Sequence, residues 1–83
     1  MKTLTQTTFE QVVKNIDTED IEVNTDGVSY FKDTDDYYIT TSLIVSDNTF
    51  MVEFWIGQYE EVLNDNQIKL LYNKLLNHYN NSI

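Results

Sequence analysis

Cysteine, proline, arginine and alanine are absent from this 83-residue chain, and glycine occurs only twice. Without cysteine there is no disulfide and no thiolate metal site, so a hydrophobic core has to carry the fold. The lone histidine, His78, sits on the polar face of an expected helix and removes the usual zinc and nucleophile constellations. Gly27 and Gly57 alone cannot build a glycine-rich phosphate loop. No apolar run approaches the roughly 18 residues that a membrane span needs. No basic segment followed by an apolar stretch marks the N-terminus, so a cytoplasmic location is expected.

The lack of arginine leaves five lysines against fourteen acidic residues, a net charge of −9. Such a surface repels phosphates, which argues against nucleic acid as a direct ligand and against anionic membranes. It suits a basic partner, which the field would attract and orient, and it also keeps a small protein soluble. Asp33-Thr34-Asp35-Asp36 has the look of a calcium loop. It fails the pattern, because Tyr38 stands at the sixth position and Ile44 at the twelfth, where glycine and glutamate are needed. Paired carboxylates are plentiful but nothing sets one pair in a concave site. The expectation is therefore a non-enzymatic protein with no metal and no cofactor.

What is present is enough for one domain. A hydrophobic fraction of 41% with one Trp, six Tyr and four Phe argues against disorder despite the charge. A chain of this length buries roughly 60–68% of its unfolded surface. Phe9, Val12, Val13 and Ile16 follow the spacing of one helical face, with a cap at Thr5 or Thr7 and a capping-box Glu10. Asp17–Asp20 reads as a charged linker and Ile21–Val23 as a short strand. Asn24–Gly27 reads as a turn in which Gly27 supplies a positive φ. Val28–Lys32, Tyr37–Val45 and Phe50–Ile56 alternate as strands, joined through turns at Asp33–Asp36 and Ser46–Thr49. Pairing Val23 with Val28, Lys32 with Tyr37, and Ile44 with Met51 keeps one consistent face inward: Ile21, Val23, Val28, Tyr30, Ile39, Thr41, Leu43, Val45, Phe50, Val52, Phe54 and Ile56. Gln58–Leu63 fits a short helical turn with Tyr59, Val62 and Leu63 packed inward. Asn64 and Gln67 then cap a helix with the stripe Ile68, Leu71, Tyr72, Leu75, Leu76 and Tyr79, and Asn80–Ile83 frays. The expected fold is α+β: an N-terminal helix, a four-stranded antiparallel meander, and a C-terminal helix.

The other sheet face carries Glu22, Asn24, Ser29, Phe31, Tyr38, Thr40, Ser42, Ile44, Met51, Glu53 and Trp55. An open antiparallel face is normally polar. Five large apolar or aromatic groups stand here instead, and three covers are open: one of the chain's own helices, a second subunit in a homodimer, or a foreign partner. The acids are also uneven. Asp17, Glu19, Asp20, Glu22, Asp26, Asp33, Asp35 and Asp36 crowd a short stretch that holds only Lys32 as a cation. Asp20 and Glu22, two apart on a strand, would project in parallel. Such carboxylates can occupy the places of phosphates in a basic groove, or can be solvated turns that blunt sheet edges.

The acidic run Asp17–Asp36 and the aromatic strand pair Tyr37–Ile56, in a small cysteine-free chain with this element order, resemble small phage-encoded inhibitors, among them anti-CRISPR proteins that imitate DNA at a Cas nuclease. The missing Arg, Ala, Pro and Cys, beside abundant Asn, Thr, Asp and Tyr, fit a genome poor in G and C, such as those of low-GC bacteria and their phages. The likeness is of charge, size and element order, and no site residue is carried over from that group. It implies an inhibitor that occludes the basic, nucleic-acid-binding surface of a host or defence protein such as a nuclease. If the chain is phage-encoded, it would act in the host cytosol. Asp20, Glu22, Asp26, Asp33, Asp35, Asp36 and Glu53 would steer it, and Phe31, Tyr38, Met51 and Trp55 would anchor it. The alternatives are an immunity protein that neutralises a nuclease toxin, and a homo-oligomeric assembly component that uses the open sheet face.

Overall fold

A computed structural model describes residues 9–82. The helix cap expected at Thr5 or Thr7 lies outside that range. The described elements are helix α1 (Phe9–Lys14), a single 3-10 turn (Thr18–Asp20), strands β1 (Glu22–Val23), β2 (Gly27–Asp33), β3 (Tyr37–Ile44), β4 (Thr49–Ile56) and β5 (Tyr59–Glu60), and helix α2 (Asp65–Ser82). The strands form one antiparallel sheet in the order β1-β2-β3-β4-β5. The α+β meander between two helices is as expected, but the strand count is five and not four.

The fifth strand replaces the helical turn expected at Gln58–Leu63. Gly57 takes a φ of 63°, and Ile56 pairs with Tyr59 across a tight hairpin. Positive φ at the first loop position is what a two-residue hairpin turn asks of glycine. Tyr59 and Val62, expected to point inward, are instead 75% and 97% exposed, whereas Leu63 does pack against the core. Because β5 pairs only with Trp55 and Ile56, the flank of β4 from Thr49 to Glu53 has no strand partner on that side among the described residues.

The two central hairpins keep four-residue turns, but each is displaced by one residue along the chain from the expected register. Asp33 pairs with Tyr38 and Lys32 with Ile39, not Lys32 with Tyr37. Likewise Thr49 pairs with Ile44, and Ser42, not Ile44, lies opposite Met51. Local hydrogen bonds account for both. The Thr34 hydroxyl accepts from the backbone N–H of Asp36 and Tyr37 (3.2 and 3.0 Å), which centres the β2–β3 turn on Asp35-Asp36 and not on Thr34-Asp35. In the second, Asn48 takes a φ of 53°, a left-handed conformation asparagine tolerates, and its N–H reaches Val45 O. Each register moves by two residues, and the side-chain period is two, so the faces stay as assigned.

At the first turn the correction is larger. Asn24 Oδ1 accepts from Asp26 and Gly27 N–H at 2.9 and 2.8 Å, so the asparagine side chain makes the turn. Gly27 has no positive φ. It is required for another reason: a Cβ there would lie 1.9 Å from the carbonyl oxygen of Leu43 on β3. Val23, assigned to the inner face, is 37% exposed on its two-residue strand.

One face of the sheet is sealed by the helices. The core joins Phe9, Val12 and Val13 of α1, Ile16 just beyond it, and Leu71 and Leu75 of α2 to Ile21, Val28, Tyr30, Ile39, Leu43 and Phe54. Phe9 meets Phe54 edge to face at 5.2 Å, and Tyr72 meets Phe50 the same way at 5.4 Å. The buried hydroxyl of Thr41 donates to Met51 O at 2.8 Å, so its polarity carries no desolvation penalty. Helix α2 starts with the expected capping box, in which Asn64 N–H donates to Gln67 Oε1 (2.9 Å) and Gln67 N–H to Asn64 Oδ1 (2.8 Å). The helix does not fray at Asn80 as expected but runs to Ser82, whose hydroxyl donates to His78 O. The Tyr79 hydroxyl ties it to the first turn through Thr25 O (3.2 Å).

Candidate functional site

Both helices lie on the inner face, and the described residues leave the outer face uncovered. Strand register arranges that face in rows. One runs Glu22, Ser29, Ser42, Met51; the next Phe31, Thr40, Glu53; the next Asp33, Tyr38, Trp55, Glu60. Phe31 is 58% and Met51 62% exposed, while Tyr38 and Trp55 are half-buried. The expected Lys32–Tyr37 pairing would set Phe31 opposite Tyr38; Phe31 instead pairs with Thr40, and the two rings meet on the diagonal, edge to face, at 5.5 Å. The outer face thus has an apolar centre of Phe31, Tyr38, Trp55 and Met51, with Ile44 at its end.

The acids fall into three places. Glu22, Asp33, Glu53 and Glu60 project from the outer face around the aromatic centre, and none of the residues in these rows is a cation. Asp35 and Asp36 sit on the exposed β2–β3 turn just beyond them. Asp26 is at the far end of β2, about 23 Å from Asp33 along the strand. Asp20 is not on a strand beside Glu22 as expected. It closes the 3-10 turn that Asp17 caps by accepting from Glu19 N–H, and its carboxylate lies 4.0 Å from Lys32 Nζ. That pair neutralises one charge of the run. The structure therefore brings together Glu22, Phe31, Asp33, Tyr38, Met51, Glu53 and Trp55, with Asp35 and Asp36 adjacent, and separates Asp20 and Asp26 from them.

Glu60 belongs to the site and was not singled out from the sequence. The signal was present: Trp55-Ile56 and Tyr59-Glu60 flank Gly57-Gln58 as a two-residue hairpin would. Reading this stretch as helical removed Glu60 from the sheet.

Small residues between large ones hollow the face. Ser29, Thr40 and Ser42 on the two central strands lie between Phe31, Met51, Glu22 and Glu53, and a groove of about 460 Å³ results. A second groove of about 480 Å³ lies between α1 and α2, beside Lys14, Lys74 and Leu70, and brings none of these acids together. On the sealed face, burial pushes the Tyr30 phenol up to about 12, with Tyr37, Asp20 and Asp17 adding to the effect. The Tyr37 phenol is also raised, by burial first and then by Asp36. Among the described residues no three His, Cys, Asp or Glu side chains gather so as to hold a metal ion, and no helix is long and apolar enough to cross a membrane.

No protein-family model matches the chain, and neither a curated protein nor a solved structure is significantly similar to it.

Proposed function

We propose that this chain is a non-enzymatic inhibitor that docks its outer sheet face on a basic, nucleic-acid-binding surface of a partner protein, in the manner of phage-encoded DNA mimics. One observation carries the reading: an exposed aromatic centre ringed by Glu22, Asp33, Glu53 and Glu60 with no cation in the same rows. Aromatics and methionine are the residues that anchor interface centres, and carboxylates at the rim give speed and choice of partner more than affinity. The scattered acids Asp20 and Asp26 contribute only to the long-range field. The same chemistry would serve an immunity protein whose partner is a nuclease toxin.

Self-association through this face is the weaker reading, and charge is the reason. Stacking two copies would set four carboxylates of one against four of the other with no lysine among them. Light scattering on the purified chain should therefore give the monomer mass at physiological salt.

The function is tested by immobilising the chain, capturing proteins from the source host at low salt, and eluting with duplex DNA. The proposal expects a basic protein that DNA displaces, that high salt releases, and that the Asp33→Lys, Asp35→Lys, Asp36→Lys triple variant no longer retains. Capture indifferent to salt, DNA and charge reversal would overturn it.

A further inference from the structure

The groove on the outer face has a shape and chemistry narrower than a general acidic surface. Its floor is three hydroxyl residues, Ser29, Thr40 and Ser42, all half-buried. Two of its walls are apolar and exposed, Phe31 and Met51. The other two are carboxylates, Glu22 on β1 and Glu53 on β4. Three inter-strand spacings and two residues along the strand put the backbones of these two about 16 Å apart. That is too far for them to share one metal ion, which needs oxygens within about 2–2.6 Å. An anion is repelled from both ends.

We propose that this groove receives an arginine side chain of the partner, a reading that rests on the docking face proposed above and specifies what it recognises. The aliphatic stem of arginine would lie along Met51 while the guanidinium plane stacks on the Phe31 ring, an arrangement a compact, strongly hydrated ammonium serves less well. Its five donors match one of the two carboxylates and the hydroxyl acceptors along the floor, while the other carboxylate adds its field from the far end. The chain itself has no arginine, so a second copy cannot supply the occupant. Arginine is also the residue that nucleic-acid-binding surfaces present to phosphates, so filling the groove would take from the partner a group it needs.

The test uses three short Gly/Ser peptides that differ at one position, carrying arginine, lysine or uncharged citrulline, titrated into the isotope-labelled chain. Amide NMR should show the arginine peptide shifting Phe31, Thr40, Ser42, Met51 and Glu53. Lysine should bind several-fold more weakly, and citrulline should give no shifts. The double variant Glu22→Gln, Glu53→Gln should weaken arginine binding several-fold, through loss of one partly screened ion pair and of the second carboxylate's field. Asp47→Asn with Asp65→Asn, away from the docking face, should leave it unchanged. All four positions are exposed, and the dispersed spectrum of each variant reports that it is folded. Equal shifts from citrulline, shifts confined to Asp33–Asp36, or indifference to the glutamate variants would overturn the groove assignment. If the groove fails but a basic DNA-binding protein is still bound in a salt-dependent way, the docking function survives without it. If that binding is missing too, both readings fall.

Discussion

Phe31 and Phe54 are the same residue on opposite faces of one sheet, and replacing each in turn tests whether the outer face is open in solution. A fully covered Phe buries roughly 200 Å², worth about 5 kcal/mol at about 25 cal/mol per Å². Phe54 is 2% exposed and touches Phe9 and Tyr37. Its replacement by alanine is expected to cost about 3–5 kcal/mol, cavity included. Phe31 is 58% exposed, so less than half of that area is at stake, about 2 kcal/mol with its ring contact to Tyr38. Phe31→Thr retains the strand preference of a β-branched residue and should cost about 1–2 kcal/mol. A domain of this size has a total stability of roughly 4–12 kcal/mol. Phe31→Thr should therefore fold well, and Phe54→Ala should sit at or near the unfolding threshold. Urea denaturation followed by Trp55 fluorescence gives both values, and melting temperatures should differ by about 10 °C or more. Equal losses for the two variants, or a Phe31→Thr loss that shrinks as the parent chain is diluted, would refute the reasoning. Either outcome would mean that the outer face is covered by another molecule.

Three further outcomes follow from particular contacts. The Tyr30 phenol, raised to about 12 from 10.0 by burial, stays protonated in the folded state while the unfolded chain ionises. The stabilisation is thus complete below pH 10 and lost as pH climbs toward 12, and Tyr30→Phe should flatten that alkaline fall in a pH-stability series. Gly27→Ala must move the β3 backbone, since its Cβ would lie 1.9 Å from Leu43 O; it should cost more than Gly57→Ala, where only a positive φ is at issue, about 1 kcal/mol, by the same urea assay. Asn64→Ala should cost about 0.5–2 kcal/mol and raise hydrogen exchange in the first turn of α2, as loss of the capping box requires.

Much of this was legible because period-two alternation is a strong constraint. The split between Ile39, Leu43 and Phe54 inside and Phe31, Met51 and Trp55 outside could be read from parity alone, and a shift of two in each hairpin left it intact. The Asn64–Gln67 box was equally readable, because its hydrogen bonds are local. What escaped depended on competition between local options. Gly57-Gln58 serves a tight hairpin as well as a strand end, and Tyr59, Val62 and Leu63 suggest a helical stripe although two of them are solvated. Asp20 was placed on a strand because nothing in Thr18-Glu19-Asp20 announces a 3-10 turn. The aromatic centre of the site was therefore visible in advance. Its carboxylate rim was only half visible, since Glu60 depends on β5 and the floor of the groove depends on which rows Ser29 and Ser42 share.

The unpaired flank of β4 gives the acidic composition a second meaning. From Thr49 to Glu53 this strand has no strand partner on its outer flank among the described residues, and such edges template growth of sheets from molecule to molecule. At neutral pH two like chains carrying a charge of −9 repel before their edges meet. As acid protonates the carboxylates, that repulsion fades while the edge remains. The same charge that would draw in a basic target also keeps the protein from polymerising, so colloidal safety and partner choice are not independently adjustable in this chain.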